Sequence, residues 1–425
     1  MKLFLDGHDY KFAVEQIMLA MFPEERPDYD CGNLAAHSGT TVCSRLVFGA
    51  KYAQVMTLIS REGRHVRGIA RVSKSKLTDE LTRARLLQRI VKQSFFRAGV
   101  RFLDSPPVWG SLTGIRPAKL AASILETGVT KKNVALTLSR EFYVSRERSL
   151  MCADAAQVSI DVKNSLEQSD IMLYAGIPFC PTRCAYCSFV SNSVEKSFGL
   201  IEHFTNTMLH EMSAAAEIVR KYGLRVVGVY IGGGTPTALP AEVLERIMLA
   251  LKTEFDFSHV REYTVEAGRP DTISQQKIDI IRRLGADRIC VNPQSMSAEV
   301  LAAIGRKHTP EDVLRAEKLV RQSGASLNMD IIAGLPGDRL RGFCATLDTL
   351  LGLGPESITV HTLSLKKGSR LMQGVMEIPS GTEVSQMLGY ACRQLRQSGY
   401  SPYYMYRQKF TSGGFENTGW SLAGY

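Results

Sequence analysis

Apolar and polar positions follow two different textures along this chain. Residues 1 to about 105 read as a small α/β unit. "KLFLDG" alternates like a strand, and "YKFAVEQIMLAMF" carries apolar residues at helical spacing. "TVCSRLVFGAKYAQVMTLISREGRHVRGIARV" reads as a strand pair or meander, and "TDELTRARLLQRIVKQSFFRAG" as a second helix with Thr78 as its cap and Gly99 as its stop. A turn-rich junction, "SPPVWGSLTGIRPAKL", then leads into helical patterning, broken at "TGVTKKN", that lasts to about Gln168.

From Ile171 onward, strands and helices alternate. β-Branched runs appear at "IMLYAGI", "VVGVYIG", "EYTVEAG", "RICVNPQ", "LNMDIIAG" and "SITVHTLSL", separated by amphipathic segments such as "AEVLERIMLALKTEF" and "PEDVLRAEKLVRQSG". Six such repeats predict parallel βα units whose functional face lies at the strand ends. Six is too few for a closed eight-stranded barrel, so a partial (β/α)6 barrel is expected; counting alone leaves a flat doubly wound sheet open. The predicted division is residues 1–105, an N-terminal α/β domain; 106–168, a helical connector; 169–380, the partial barrel; and 381–425, one more helix and a Tyr/Gly-rich segment on the substrate side.

Composition changes this picture little: 44% hydrophobic and 22% charged residues are ordinary for a globular chain. No apolar run approaches the roughly 20 residues of a membrane helix, and "MKLFLDGHDYKF" lacks the layout of a signal peptide, so no membrane role and a cytoplasmic location are expected. The net charge of +10 is local. Residues 61–120 hold 14 Lys/Arg against 4 Asp/Glu, which predicts either a solvated basic surface or an anionic partner, nucleic acid or polycarboxylate. That segment lacks the interleaved aromatics that stack on bases, so nucleic acid is the least favoured partner. Of nine cysteines, Cys31, Cys43, Cys152, Cys290, Cys344 and Cys392 are scattered and read as small buried apolar side chains.

The other three are not scattered. "GIPFCPTRCAYCSF" sets Cys180, Cys184 and Cys187 in a C-x3-C-x2-C spacing directly after the first strand of the barrel region. Three thiolates on one loop can hold three corners of an iron–sulfur cube and leave the fourth iron for a small molecule. A closed zinc site would need a fourth ligand, and the nearest histidine, His203, stands at an expected helix start some distance on.

This motif, with Tyr186 just before its third cysteine, resembles the signature of radical S-adenosylmethionine (SAM) enzymes. The resemblance implies a [4Fe–4S] cluster on Cys180, Cys184 and Cys187, whose open iron binds SAM and whose electron cleaves it to a 5′-deoxyadenosyl radical. It also implies SAM contacts at Tyr174, Tyr186, the glycine-rich strand end Gly233, Gly234 and Thr235 in "YIGGGTP", Glu266 in "YTVEAGRPD", Gln294 in "CVNPQSM", Arg306 in "IGRKHT" and Asp330 in "NMDIIAGLPG". Tyr174 and Glu266 are further implied as catalytic. Taken singly, each charged residue here could be a salt bridge or a helix cap; together they suit the ammonium, carboxylate and hydroxyl groups of SAM.

Within that superfamily the chain resembles the oxygen-independent coproporphyrinogen III oxidase group, and most of all its HemZ-type coproporphyrinogen dehydrogenase branch, through "LYAGIPFCPTRCAYCSF", "LTGIRPAKL", "VEAGRPDTI" and "YYMYRQK". The resemblance implies oxidative decarboxylation of two propionates of coproporphyrinogen III to vinyl groups in haem biosynthesis. A reduced flavodoxin- or ferredoxin-type donor would supply the electron, and the basic segment at Arg61, Arg64, Arg67 and Arg71 would have a use in docking the tetracarboxylate. Alternatives in the same group are haem methylation or ring opening, and haem binding or delivery; RNA modification ranks last. Two positions depart from the group's pattern: Gly176 stands where a histidine follows the leading tyrosine, and Ser188 and Phe189 where a fourth cysteine follows the motif. Members of the branch run on past "ENTGWSLAGY", so the resemblance also implies substrate-side residues beyond Tyr425.

Overall fold

Val229, Val265, Ile289, Met329 and Ile358 are almost completely buried, while the next positions along the same strands hold Tyr230, Glu266, Cys290, Asp330 and Thr359. A parallel sheet covered on both faces usually reads as a continuous apolar run. Here the two-residue period separates an apolar face from a polar one, and that separation creates the site.

The computed structural model describes residues 1–29, 39–189, 191–366, 368–373, 377–407 and 414–425. Cys31 and the end of "YYMYRQK", Gln408 and Lys409, lie outside the described residues. The chain forms two units, Met1–Gln157 and Val158–Tyr425, so residues 106–157 of the expected connector group with the first unit and 158–168 with the second.

The first unit contains β1 (Lys2–Asp6), α1 (Lys11–Met21), β2 (Thr41–Phe48), β3 (Tyr52–Arg61), β4 (Arg64–Ser73), α2 (Glu80–Gly99), α3 (Pro117–Leu125) and α4 (Lys131–Phe142); α5 (Arg146–Ser165) spans the division. The sheet order is β1-β2-β3-β4, with β1 and β2 parallel and the rest an antiparallel meander. Val42, Val55, Ile59 and Ala70 form one core with Val14, Ile17, Ile90 and Phe95 of α1 and α2. Gly68 lets α2 lie directly on β4: a Cβ there would stand 2.1 Å from the Ser94 carbonyl oxygen. The cap of α2 is Asp79 rather than Thr78; its carboxylate accepts the Thr82 N–H at 2.9 Å, and the Thr78 hydroxyl donates to it.

The opposite sheet face is exposed and carries Arg67 and Arg71 beside Met56 and Ile69. Arg61 and Arg64 pair at the hairpin end instead, with the Arg64 guanidinium 5.2 Å from the Phe102 ring centre, so the four arginines do not form one row. Cys43 corrects an expectation: it is exposed, because strand alternation turns it to the uncovered face, whereas Cys152, Cys290 and Cys392 are buried and Cys344 is half-buried.

The second unit is the barrel. Its strands are β5 (Asp170–Ile177), the two-residue pair β6 (Phe179–Cys180) and β7 (Asn192–Ser193), β8 (Arg225–Gly233), β9 (Glu262–Glu266), β10 (Arg288–Cys290), β11 (Ser326–Ala333), β12 (Ser357–Thr362), β13 (Ser401–Arg407) and β14 (Glu416–Ser421). The main sheet runs β5-β8-β9-β10-β11-β12-β14-β13, six parallel strands as expected plus an antiparallel hairpin at the far edge. It is a curled half-barrel. The connecting helices are α6 (Phe198–Lys221), α7 (Ala241–Glu254), α8 (Gln275–Arg283), α9 (Ala298–Ala303), α10 (Pro310–Gln322), α11 (Leu340–Leu353) and α12 (Gly381–Gln397). α10, α11 and α12 pack on β11, and α6, α7 and α8 pack in succession. No helix among the described residues is long and apolar enough to cross a membrane.

Candidate active site

The first barrel strand ends at Ile177, and the chain then enters the cysteine segment. β6 holds Cys180 against β7, and the Cys187 N–H donates to the Cys184 carbonyl at 3.2 Å, turning the segment back on itself. Ala185 N–H reaches the carbonyl of Ile304 at 2.9 Å, which ties this turn to the segment after α9.

The glycine-rich end of β8 lies on the same segment. Gly234 N–H donates to the Ile177 carbonyl at 2.6 Å, and Thr235 N–H donates to that of Phe179 at 2.7 Å. The Thr235 hydroxyl points at Cys180 Sγ, 3.6 Å away. A Cβ on Gly234 would meet the Phe179 oxygen at 2.5 Å and Cys180 Sγ at 3.0 Å, so only glycine permits this approach.

All three cysteines line one cavity of about 450 Å³, a size suited to a cofactor. Its walls also include Tyr186, Gly233, Gly234, Thr235, Glu266, Gln294, Arg306 and Asp330. Residues from five separate strand ends are thus brought to one place. Tyr174 stands apart. It lies on the same sheet face, but β5 is the edge strand, so the ring is 66% exposed and does not line the cavity; it stacks on the lining residue Tyr230 at 6.0 Å.

Electrostatics divide the two carboxylates. Burial, followed by the charge of Asp330, pushes the Glu266 carboxyl up to about 8. Burial would raise Asp330 as well, but it is held below the usual range by His361, whose Nε2 is 3.4 Å from Oδ2, and by the Asn328 amide at 2.8 Å. At neutral pH one carboxyl is protonated and its neighbour is charged. Cys184 is also shifted. Burial opposes its ionisation, and Arg306 and Arg269 outweigh that and lower it, which favours the thiolate a metal needs.

Arg306 is buried, with Nη1 donating to the carbonyls of Gly268 (3.0 Å) and Asn292 (2.6 Å) and Nη2 to the Tyr186 hydroxyl (3.1 Å). Gln294 takes a left-handed backbone, φ +67°, fixed by Gln294 N–H to the Asp330 carbonyl at 2.9 Å and Ile332 N–H to its own carbonyl at 3.1 Å. Arg306 Nε, Gln294 Oε1 and Asn292 Oδ1 are buried without a hydrogen-bond partner. Orphaned donors and acceptors at one cavity fit a polar ligand that would satisfy them. Among the described residues no three His, Cys, Asp or Glu side chains converge as on a single ion.

Other lining residues were not singled out in the sequence. Tyr230, Arg288, Thr359 and His361 share the inner face, and Tyr403, Tyr404 and Tyr406 come from β13. The two-residue alternation of polar side chains within the parallel strands was the available signal for the first four.

Residues 174–350 match the Radical SAM superfamily. The chain is 38% identical over 322 residues to the oxygen-independent coproporphyrinogen-III oxidase-like protein HemZ of Bacillus subtilis, covering 74% of this chain and 64% of that protein. It is 29% identical to the heme chaperone HemW of the same organism over 59% of this chain and 67% of that one. The structure of coproporphyrinogen III oxidase (HemN) from Escherichia coli, a radical SAM enzyme, superposes with a TM-score of 0.52 at 23% identity, covering 64% of this chain and 59% of that one; this is a likeness of fold. The chain therefore spans less than two thirds of the length of HemZ. The family match implies a [4Fe–4S] cluster and SAM, and the three cysteine side chains and the orphaned polar atoms described above fit both. Residues 174–350 are a radical SAM domain.

Proposed function

We propose that the protein is a radical SAM oxidoreductase acting on a tetrapyrrole, and that its reaction is the oxygen-independent oxidative decarboxylation of coproporphyrinogen III to protoporphyrinogen IX in haem biosynthesis. The observation that carries the proposal is the single cavity shared by Cys180, Cys184, Cys187 and the SAM-matching set, in a chain similar to HemZ over most of its length.

Cys180, Cys184 and Cys187 would hold three irons of the cluster. Gly233, Gly234 and Thr235 would let backbone approach the methionyl end of SAM, Glu266 would pair with its ammonium group, and Gln294, Arg306 and Asp330 would complete the polar wall. Tyr186 braces Arg306, and Tyr174 covers the cavity edge through Tyr230. When bound, the cluster and SAM supply a carbon radical that removes one hydrogen atom from a propionate, after which carbon dioxide leaves and one electron passes to an acceptor. Each propionate-to-vinyl conversion would give one hydrogen atom to the radical and one electron to the acceptor, so one SAM would be consumed per propionate and two per product. A reduced flavodoxin- or ferredoxin-type protein in the cytoplasm is the proposed electron source.

Haem delivery is a second reading, favoured by the similarity to HemW. The test is anaerobic reconstitution with iron and sulfide, followed by SAM, reductant and coproporphyrinogen III. The proposal expects two 5′-deoxyadenosine per protoporphyrinogen, with loss of two carboxylates by mass. Haem binding without SAM cleavage would overturn it in favour of delivery; cleavage coupled only to haem would assign ring opening or methylation.

A further inference from the structure

The Lys and Arg side chains lining the cavity differ in what they are committed to. Arg269 makes two bonds of 3.1 Å to Asp271 and a third to the Thr182 hydroxyl. Arg288 is bound to Asn328 and Ser357 at 3.1 Å each and lies 3.7 Å from Glu262. Arg306 is held by two carbonyls and a phenol. These three hold the wall together.

Arg183 and Lys366 line the same cavity, are exposed, and have no carboxylate partner among the described residues. Arg183 stands between Cys180 and Cys184, and Lys366 lies on the segment after β12. The two segments are fastened together. Arg183 Nη2 donates to the Gly368 carbonyl at 3.0 Å, the Arg370 guanidinium donates to the Arg183 carbonyl, and Leu371 N–H donates to that of Ala185 at 3.1 Å. Beneath them Ala185, Leu363 and Leu371 share an apolar cluster with Ile304 and Ile332. The two cations therefore project from a braced frame.

The rest of the opening is aromatic. Tyr403, Tyr404 and Tyr406 of β13 stand 6.5 Å and 5.5 Å apart in succession, Tyr404 is 46% exposed, and Phe189, beside the cysteine segment, is 63% exposed. All four line the cavity. A ligand matching this opening has a broad ring-bearing body and anionic groups at its perimeter. The buried part offers a different chemistry: Asp330 is ionised there, and Arg269, Arg288 and both terminal nitrogens of Arg306 are committed to protein groups, so a ring bearing several carboxylates finds little cationic capacity in it.

We infer that Arg183 and Lys366 form a carboxylate clamp at the cavity mouth, holding the unreacted propionates of a polycarboxylate tetrapyrrole while the tyrosines of β13 and Phe189 cover its pyrrole rings. This assignment rests on the tetrapyrrole reading above and adds the residues that select for carboxylate number. It moves the docking role from the arginines of β3 and β4 to the barrel itself.

The test is equilibrium binding by fluorescence to the cluster-reconstituted full chain, with coproporphyrin III (four carboxylates) and protoporphyrin IX (two) as probes. R183Q and K366Q should each weaken coproporphyrin III about 3- to 10-fold, the double variant more, with a smaller loss for protoporphyrin IX and a shallower salt dependence. Cluster absorbance and SAM affinity should stay at wild-type values. Lys366 lies outside the cysteine segment, so K366Q decides even where R183Q lowers cluster content. Wild-type protein that binds neither porphyrin sinks the tetrapyrrole reading itself. Wild-type binding that the double variant retains sinks the clamp alone. Retained porphyrin binding with slower reduction by an acidic one-electron donor protein would assign the two cations to that donor and likewise overturn the clamp.

Discussion

Thr235 Oγ1 lies 3.6 Å from Cys180 Sγ, which makes the glycine-rich end of β8 part of the support for the cysteine segment. The adjacent Gly234 has no room for a methyl group, with the Phe179 and Ile177 carbonyls 2.5 Å and 2.9 Å from its ideal Cβ. G234A must therefore move backbone at Cys180. We expect a loss of about 1–3 kcal/mol in stability and iron content well below wild type after reconstitution. Denaturant midpoints and iron assays check both; wild-type iron content would show that the close approach is dispensable.

Cys184 is the most enclosed of the three motif thiols and the one whose ionisation Arg306 and Arg269 favour. C184A should abolish the visible cluster absorbance and reductive SAM cleavage together, while C43A, on the exposed face of the other unit, leaves both intact. Retained cleavage in C184A would mean that the ligand assignment is wrong.

The raised Glu266 carboxyl gives SAM binding a pH dependence. Glu266 is protonated below about 8 and must release that proton to pair with an ammonium group. Affinity should therefore rise with pH over about pH 6 to 7.5, before a free α-amino group itself begins to deprotonate near ~8. Calorimetry in buffers of different ionisation enthalpy should register proton release on binding. E266Q should bind more weakly and without this slope; an unchanged slope would remove Glu266 from the SAM contact.

Asp330 contributes the second largest upward push on Glu266. D330N removes that charge, so the rising limb of the SAM-binding profile should move to lower pH. A limb that stays in place would mean burial alone sets the Glu266 carboxyl. A move to higher pH would contradict the sign of the interaction.

Gln294 carries both a left-handed backbone and a buried, unpartnered Oε1. Such a backbone costs of order 1–3 kcal/mol in a non-glycine residue, partly offset in the Gly variant by the freedom gained on unfolding. Q294G should leave apo stability equal or higher while weakening SAM binding. Thermal melts and SAM titrations separate the two; weakened stability with full SAM affinity would reverse the assignment.

Much of the domain was readable from local pattern. The six parallel strands were legible because each is a β-branched run bounded by polar or glycine-rich residues, and Cys180, Cys184 and Cys187 because ligand spacing within one loop is a local property. The β13–β14 hairpin was not. Ser401–Arg407 and Glu416–Ser421 lack strong alternation, and they pair with each other as an antiparallel hairpin whose β14 lies against β12, placing Tyr403, Tyr404 and Tyr406 in the cavity wall. Arg288 and His361 escaped notice for a related reason. The polar alternation within these strands marks a second face, but only the curl of the sheet decides that this face is the concave one.

The sequence by itself determined the elements, the order of the βα units and the three thiols, since those depend on periods of two and 3.6 residues and on short-range spacing. Only the tertiary structure decided which strand became an edge, leaving Tyr174 at the rim, and which cations the wall consumed, leaving Arg183 and Lys366 at the mouth. The physical reason is range. Burial, charge coupling and the pairing of Arg306 with carbonyls 14 and 38 residues away arise only when distant strand ends meet in a medium that excludes water.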